Sequence, residues 1–408
     1  MGQLHSRRHR FCPIDILSDD ALLAIFAYLP IPDKVKAERV CQKWKDLLRH
    51  PSVWRAIDFT QISHYLKPMY YADKQAAVLH FLQQYAGLFT KQVRLQNFAS
   101  NNILQFLHSH CTQLEGIALF LHAGHTDVNL DLLSDNLTSV DLRLPISGGN
   151  GTPVGKFGEK QFNYLLHLNL HGVQITDVLC SSLSHSESLR YLMLYHCVFK
   201  SQSGSKFAAL VSQLRQLNKL VLAYCWFAST QQLEEILHNV ADNCCKLETF
   251  DFRFPYVPAG DDPQDIADHE IASLNFDYFL QSSVQMDRLF SVSLSGISSM
   301  TSERFTLFLQ QHSGIQTLEL SSCHDVDDDI LYSIATNLTR LKSFQLRWCD
   351  SVTNIGLKYL AHHSSLQNLS LACNGITGKA VLTTVCTLTN IRFLSLSKVH
   401  GYKNAQPL

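Results

Sequence analysis

Charged side chains are scarce in this chain. They make up 17% of its residues, against about 25% in an average soluble domain. Neither sign dominates: 34 Lys and Arg stand against 35 Asp and Glu over 408 residues, a formal net charge of −1. Binding along a nucleic-acid backbone needs a basic face, so the balance argues against general nucleic-acid binding. No apolar run approaches the ~18 residues of a membrane helix. The first ten residues are polar and basic and do not read as a secretory signal. The 12 cysteines have no dense framework spacing, and reduced thiols in cytosol or nucleus are expected. The sequons at Asn136 and Asn150 would then stay unglycosylated. The fourth-last residue is Ala405, not Cys, so no prenylation is expected.

Catalytic signatures are missing too. There is no phosphate-cradling glycine loop and no Gly-x-Ser-x-Gly. The densest His/Cys groups are His108-Ser109-His110-Cys111 and His122-Ala123-Gly124-His125. Neither joins a paired Cys-x-x-Cys, and Cys244-Cys245 are adjacent, so no metal site is expected. Asp325-Val326-Asp327-Asp328-Asp329 opens like a calcium loop. It has Ile330 where that loop needs Gly and Thr336 where it needs Glu. Acids at the positive end of a helix account for it.

What is present starts with Leu17–Trp54. Ser18 is a suitable N-cap, Asp19 and Asp20 suit a helix start, and Leu22, Leu23, Ile25, Phe26 and Leu29 come next at helical spacing. Pro30 and Pro32 stop that helix, Asp33 is placed to cap the next, and Val40, Cys41, Trp44, Leu47 and Leu48 give a third apolar stripe. About 45 residues bury too little apolar area to stand alone. The module needs a neighbour on one side, and its surplus apolar residues suit a partner on another.

Four blocks carry a resemblance: Leu17-Ser18-Asp19-Asp20, Ile25-Phe26-Ala27-Tyr28-Leu29-Pro30, Val40-Cys41-Gln42-Lys43-Trp44 and Ser52-Val53-Trp54-Arg55. Their order and spacing resemble an F-box. The resemblance implies binding to the Skp adaptor and, through it, to a cullin ubiquitin ligase. Leu17, Ile25, Leu29, Pro30 and Val35 would then lie at or near the adaptor contact, Trp44 mostly in the core, and Trp54 at the join to the repeat array. Ser18 stands where the family has proline and Ala21 where leucine is usual.

The rest of the chain repeats. The pattern apolar-x-x-apolar-x-apolar-x-x-small runs from Leu165/Leu168/Leu170/Val173 to Ile391/Leu394/Leu396/Val399, by way of Leu341/Phe344/Leu346/Cys349 and Leu366/Leu369/Leu371/Asn374. Late copies start at 289, 315, 341, 366 and 391, a spacing of 25 or 26 residues. Weaker copies start near Trp54, Thr90, Leu114 and Leu137. This is the period of leucine-rich repeats, each a short strand, a turn and a returning helix. Cys349–Leu357 resembles the cysteine-containing subtype, which is commonly fused to an F-box. The expected fold is α/β: a helical F-box, then a curved leucine-rich-repeat solenoid with parallel strands inside and helices outside. The expected division is a basic tail over 1–11, the F-box over 12–58, divergent repeats over 59–160 with a Gly-rich loop at Ser147–Gly151, and regular repeats over 161–408. An acidic insertion at 255–270 carries Asp261, Asp262, Asp265, Asp268 and Glu270.

Strand residues between the pattern positions face the inner side of such an array. They include Tyr191, Met193, Tyr195, Lys219, Val221, Asp251, Arg253, Glu319, Gln345 and Arg347. The position two after the third pattern residue gives His196, Tyr224 and Phe254 in consecutive repeats, and Trp348 three repeats later. Tyr, Trp and Arg dominate interface energies. The partner-binding candidates are therefore Tyr195, His196, Tyr224, Arg253 and Phe254 as one patch, with Arg347 and Trp348 as a second. The resulting expectation is a non-catalytic substrate-recognition subunit of an SCF-type cullin ubiquitin ligase, with a protein substrate and no cofactor. The alternative is a repeat scaffold outside any ligase, with the F-box as a cap. Met1-Gly2-Gln3-Leu4-His5-Ser6 fits N-myristoylation at Gly2, with Arg7, Arg8 and Arg10 behind it. Membrane attachment would depend on that acyl chain.

Overall fold

A computed structural model of the chain describes residues 13–66, 70–121, 128–144, 161–200, 203–254, 276–282, 286–297 and 300–397. Gly2 and its basic tail, His122 and His125, the Gly-rich loop at 147–151 and the acidic insertion at 255–270 lie outside the described residues.

Two compact units divide the chain. One takes the described residues up to Phe120 together with Leu132–Leu137; the other takes those of Leu121–Asp131 and those from Thr138 onward. The first unit therefore continues well past residue 58, and Trp54 shows why. Its indole N–H donates to the Leu48 carbonyl at 2.6 Å. Its ring packs 5.5 Å from Phe81 and 4.4 Å from Tyr85. Residues beyond the helical module thus complete its core, as a module too small to close its own core requires.

The first unit runs α1 (Asp19–Tyr28), α2 (Ile31–Ala37), α3 (Gln42–Leu48), a 3-10 turn at Pro51–Trp54, β1 (Ala56–Asp58), α4 (Ser63–Leu66), α5 (Tyr71–Tyr85), β2 (Gln92–Gln96), α6 (Asn101–His110) and β3 (Gly116–Phe120). Ser18 caps α1 by accepting from the Ala21 N–H at 3.3 Å. Two local expectations fail. Asp33 does not cap α2: that helix starts at Ile31, with Pro30 in the cap position and Pro32 in the first turn. Proline suits these places because its fixed φ is helical and its missing N–H would bond nothing there. Val40 is exposed rather than part of a buried stripe, because α3 begins only at Gln42 and Cys41 before it is extended. β1, β2 and β3 pair in parallel through Ile57, Val93 and Ile117.

The second unit repeats one motif. It runs β4 (Ser139–Arg143), β5 (His167–His171), β6 (Gln174–Ile175), α7 (Asp177–Leu183), β7 (Tyr191–Tyr195), β8 (Val198–Phe199), α8 (Ser203–Gln213), β9 (Lys219–Ala223), β10 (Trp226–Phe227) and α9 (Thr230–Asn243). It continues with β11 (Thr249–Arg253), α10 (Asp277–Ser282), β12 (Ser291–Ser295), α11 (Ser302–Gln311), β13 (Thr317–Ser321) and α12 (Asp328–Asn337). The last elements are β14 (Ser343–Arg347), α13 (Asn354–Tyr359), β15 (Asn368–Ala372), α14 (Gly378–Thr387) and β16 (Phe393–Leu396). Strands β4, β5, β7, β9, β11, β12, β13, β14, β15 and β16 lie side by side in that order, and β6, β8 and β10 form a second small parallel sheet. The pattern leucines fill the core between strands and helices. The early starts Trp54, Thr90, Leu114 and Leu137 are all buried, just ahead of β1, β2, β3 and β4.

The recurring cysteines hold one position. Cys197, Cys225, Cys323 and Cys349 are buried, with each Sγ 3.4 to 3.9 Å from a strand carbonyl one repeat back. Asn374 does not take this place in the next repeat. Cys373 does, buried with its Sγ 3.7 Å from the Leu346 carbonyl, because the bend after β15 is one residue shorter.

Capping links neighbouring repeats. Thr301, Thr353 and Thr377 cap α11, α13 and α14. Their own N–H groups donate to Asp277, Asp328 and Asn354 of the preceding repeats, at 3.1, 2.8 and 2.9 Å. Asp327 caps α12, and Asp325 accepts from the Met300 N–H at 2.9 Å. The acid run at 325–329 thus serves helix starts. No helix among the described residues is long and apolar enough to cross a membrane.

Candidate functional site

The helical module leaves apolar side chains uncovered. Leu22, Phe26, Ile31 and Leu48 are buried, and Phe26 meets the half-buried Trp44 edge-on at 5.1 Å. Of the five residues expected at the adaptor contact, Ile25 and Pro30 are exposed and Leu17, Leu29 and Val35 are half-buried. Three further large apolar residues, outside that expected set, are also exposed: Ile16, Val40 and Tyr28, the last 92% exposed. The helical period signals Tyr28, since it lies three residues after Ile25 and shares its face.

Lys34 carries no sequence signal of its environment. It is 3% exposed, donates from Nζ to the Val53 carbonyl at 2.9 Å, and lies 4.8 Å from the Trp54 ring centroid. Burial holds its pKa below the ordinary lysine value. Near it a cavity of about 280 Å³ is lined by Tyr28, Leu29, Ile57, Gln61 and Arg94 among others.

On the strand face of the second unit, parallel register sets the neighbours. His196, Tyr224, Phe254, Ser322 and Trp348 all have φ between 44° and 57°, and Gly172 and Gly296 hold the equivalent turn at 69° and 71°. This bend requires the left-handed region, where glycine costs least and a side chain adds strain. Each residue there continues the sheet: the Tyr224 N–H donates to the Arg253 carbonyl, that of Phe254 to Ser295 and that of Trp348 to Ala372. The aromatic side chains stack. The His196 and Tyr224 rings lie 5.0 Å apart at 9°, and those of Tyr224 and Phe254 lie 5.5 Å apart at 12°. Phe254 ends over Gly296, where an added Cβ would meet its Cδ1 at 2.9 Å. Burial, then the nearby His171 charge, holds the His196 pKa below its ordinary value. Trp348 occupies the equivalent bend and is exposed.

Arg253 is half-buried and clamped. Its Nε and Nη2 donate to Asp251 at 2.6 and 2.9 Å, and Nη2 reaches Glu319 at 3.3 Å. Gln345 also donates to Glu319. Burial works against the guanidinium charge, but the bonds and charge of Asp251 and the charge of Glu319 outweigh it, raising the pKa. Tyr195 is half-buried, and its phenol is raised by burial and then by the Asp251 charge. Val221 is on this face by register yet fully covered. Arg347 is half-buried, with a bond from Nη2 to Ser370 Oγ at 3.3 Å.

The two candidate patches flank one floor. Between Arg253 on β11 and Arg347 on β14, the register places Ser295 on β12 and Ser321 on β13. Ser295 is 1% exposed and Ser321 3%, and neither Oγ has a hydrogen-bond partner among the described residues; the same holds for Ser293. Serine in a strand has no spacing signal that could single these out.

The candidate metal groups have other duties. His108 Nδ1 lies 3.3 Å from the Leu133 carbonyl, His110 stacks on Phe106 at 4.4 Å, and Cys111 is buried. No group of three or more His, Cys, Asp or Glu among the described residues could hold an ion.

The F-box-like family model matches residues 19–60, the segment of α1, α2, α3 and β1. The chain joins an F-box-like module to leucine-rich repeats. Human F-box/LRR-repeat protein 12 is 31% identical over 128 residues, which are 31% of this chain and 38% of that protein. Human F-box only protein 33 is 28% identical over 89 residues, 22% of this chain and 14% of that protein. The chain thus spans well under half the length of these curated relatives. Among solved structures, an internalin from Listeria monocytogenes aligns over 82% of this chain and 96% of its own, at 15% identity and a TM-score of 0.44. A leucine-rich-repeat protein of Leptospira interrogans aligns over 76% and 73%, at 17% identity and the same TM-score.

Proposed function

We propose that this F-box and leucine-rich-repeat chain is a non-catalytic substrate-recognition subunit of an SCF-type cullin ubiquitin ligase. The F-box-like module binds the Skp adaptor through Leu17, Ile25, Leu29, Pro30 and Val35. The strand face holds a protein substrate through Tyr195, His196, Tyr224, Arg253, Phe254, Arg347 and Trp348. The work is positional: holding a substrate lysine near a ubiquitin-conjugating enzyme raises effective concentration and needs no reacting group in this chain. The observation that carries the reading is the family match over 19–60, in a module that keeps Ile25, Tyr28 and Pro30 uncovered. Support for the second face comes from the aromatic side chains that stack along it, His196 on Tyr224 and Tyr224 on Phe254, since aromatic and arginine side chains dominate interface energies.

Co-purification with the Skp adaptor tests the first half. Wild type is expected to retain the adaptor and Leu29→Asp to lose it while staying folded. Association that survives Leu29→Asp places the contact elsewhere, and wild type that never retains the adaptor favours a scaffold outside the ligase. Tyr224→Ala combined with Arg253→Ala is expected to release the substrate and keep the adaptor. The N-terminal peptide mass decides whether Gly2 carries an acyl chain.

A further inference from the structure

The serine floor between Arg253 and Arg347 has chemistry that sheet packing does not require. Its row on the strand face reads Ala223, Arg253, Ser295, Ser321, Arg347 and Ala372 across β9, β11, β12, β13, β14 and β15. Alanine fills the same row on the outer side of each arginine, where Ala223 and Ala372 are buried. Serine at the two central strands adds hydroxyls that are buried and bond to nothing among the described residues. A buried hydroxyl without a partner destabilises the fold that holds it.

The charges around the floor are unequal. Arg253 bonds Asp251 on its own strand and reaches Glu319 on β13, so its side chain crosses β12 above the serines. That arginine is already neutralised. Arg347 is not: it is half-buried, and among the described residues it bonds only Ser370, a neutral group. It is the register partner of Ser321, which is the partner of Ser295, and adjacent strands are about 4.8 Å apart. One guanidinium without a counter-charge among the described residues therefore stands beside two unused hydroxyl donors. Trp348 comes next after Arg347, at the left-handed bend, and is exposed.

We infer that Arg347, Ser321 and Ser295 form a subsite for a single carboxylate of a bound peptide segment. A guanidinium and flanking hydroxyls match the two oxygens of a carboxylate. The charge count favours a monoanion over a dianion. Arg253 and Arg347 together balance Asp251 and Glu319, so a bound carboxylate takes this group to −1 and a dianionic phosphate to −2. The subsite rests on the proposed role of the strand face as the partner surface and specifies the group that surface reads. The carboxylate is that of an Asp or Glu side chain or of a chain terminus; both present the same two oxygens.

The test is a synthetic array of random short peptides probed with the full chain. One set contains Asp and Glu with amidated C-termini. A second lacks them but has free C-termini. A third replaces them with phosphoserine and is amidated. Binders are expected in the first or second set, and which one identifies the source of the carboxylate. Arg347→Gln should weaken those binders about ten-fold or more, the size of a lost charged hydrogen bond. Ser321→Ala should weaken them too while leaving thermal stability unchanged or raised, since its hydroxyl bonds nothing in the free protein. Binders confined to the phosphoserine set overturn the subsite. So does binding that falls with Tyr224→Ala but ignores Arg347→Gln and Ser321→Ala, which still keeps the strand face as the partner surface. Peptide binding that no strand-face variant affects overturns the subsite and the strand-face reading together.

Discussion

Gly356 illustrates how little room single residues have. A Cβ there would meet Asp328 Oδ1 at 2.3 Å and the Asp328 Cα at 3.0 Å. The same carboxylate holds both the N–H and the hydroxyl of Thr353. Gly356→Ala is therefore expected to destabilise by about 1–3 kcal/mol, read as a fall in the urea midpoint. His363 makes a second residue-scale case. It is buried, with Nε2 2.8 Å from the Leu338 carbonyl. Burial lowers its pKa from 6.5, and the carbonyls nearby offset only part of that. Below pH 6.5 the unfolded chain takes up this proton before the folded one does. The contribution of His363 to stability is thus expected to be flat above that pH and to fall as pH drops through the window beneath it. His363→Gln should remove part of that slope, which denaturation at a series of pH values would show; an unchanged slope means the proton is taken up elsewhere.

Helix starts set the register between neighbours at the scale of elements. Asp327 caps α12 by accepting from the Ile330 N–H at 3.0 Å, and Asp328 holds the capping Thr353 of α13. Asp327→Ala is expected to cost about 1 kcal/mol, and hydrogen exchange should rise first in the opening turn of α12. These starts are legible in the chain, because Thr176 and Thr353 stand where a capping residue is needed and do cap α7 and α13. The start of α2 is not. Two prolines signal a helix stop, yet proline in a first turn is also a start signal, and local sequence alone does not separate the two. The aromatic ladder is legible as spacing. Its stacking and left-handed backbone are not, since both depend on the bend each strand makes into the next repeat.

At the scale of the whole molecule, the array buries its cysteines. Among the described residues Cys111, Cys180, Cys197, Cys225, Cys244, Cys323, Cys349 and Cys373 are buried, and Cys41, Cys245 and Cys386 are exposed. Burial pushes up the thiols of Cys111 and Cys323, to about 11, and of Cys180 and Cys244, to about 12. A thiol held protonated is a poor nucleophile. Thiol labelling of native protein, with peptide mass mapping afterwards, is expected to modify Cys41, Cys245 and Cys386 quickly and the eight buried thiols only on unfolding. Fast native labelling of Cys323 or Cys349 would mean that the repeats open locally.

The sequence by itself determined the architecture, because a period of 25 or 26 residues allows one solution: each copy buries its leucines only against the next. It also determined the place of Cys349 and which segment forms the helical module, whereas the bend after β15 decided that Cys373 and not Asn374 takes the equivalent place. Only the tertiary structure decided what lies between the two arginine-aromatic patches. Arg253 and Arg347 are far apart in the chain, and a long interval separates β11 from β12. Yet the parallel register carries through, with Arg253 opposite Ser295, Ser295 opposite Ser321 and Ser321 opposite Arg347. Hydrogen bonding between strands fixes which side chains become neighbours, whatever length of chain connects them. A lone serine in a strand has no distinguishing spacing, so its role becomes visible only once the strands on either side are in place.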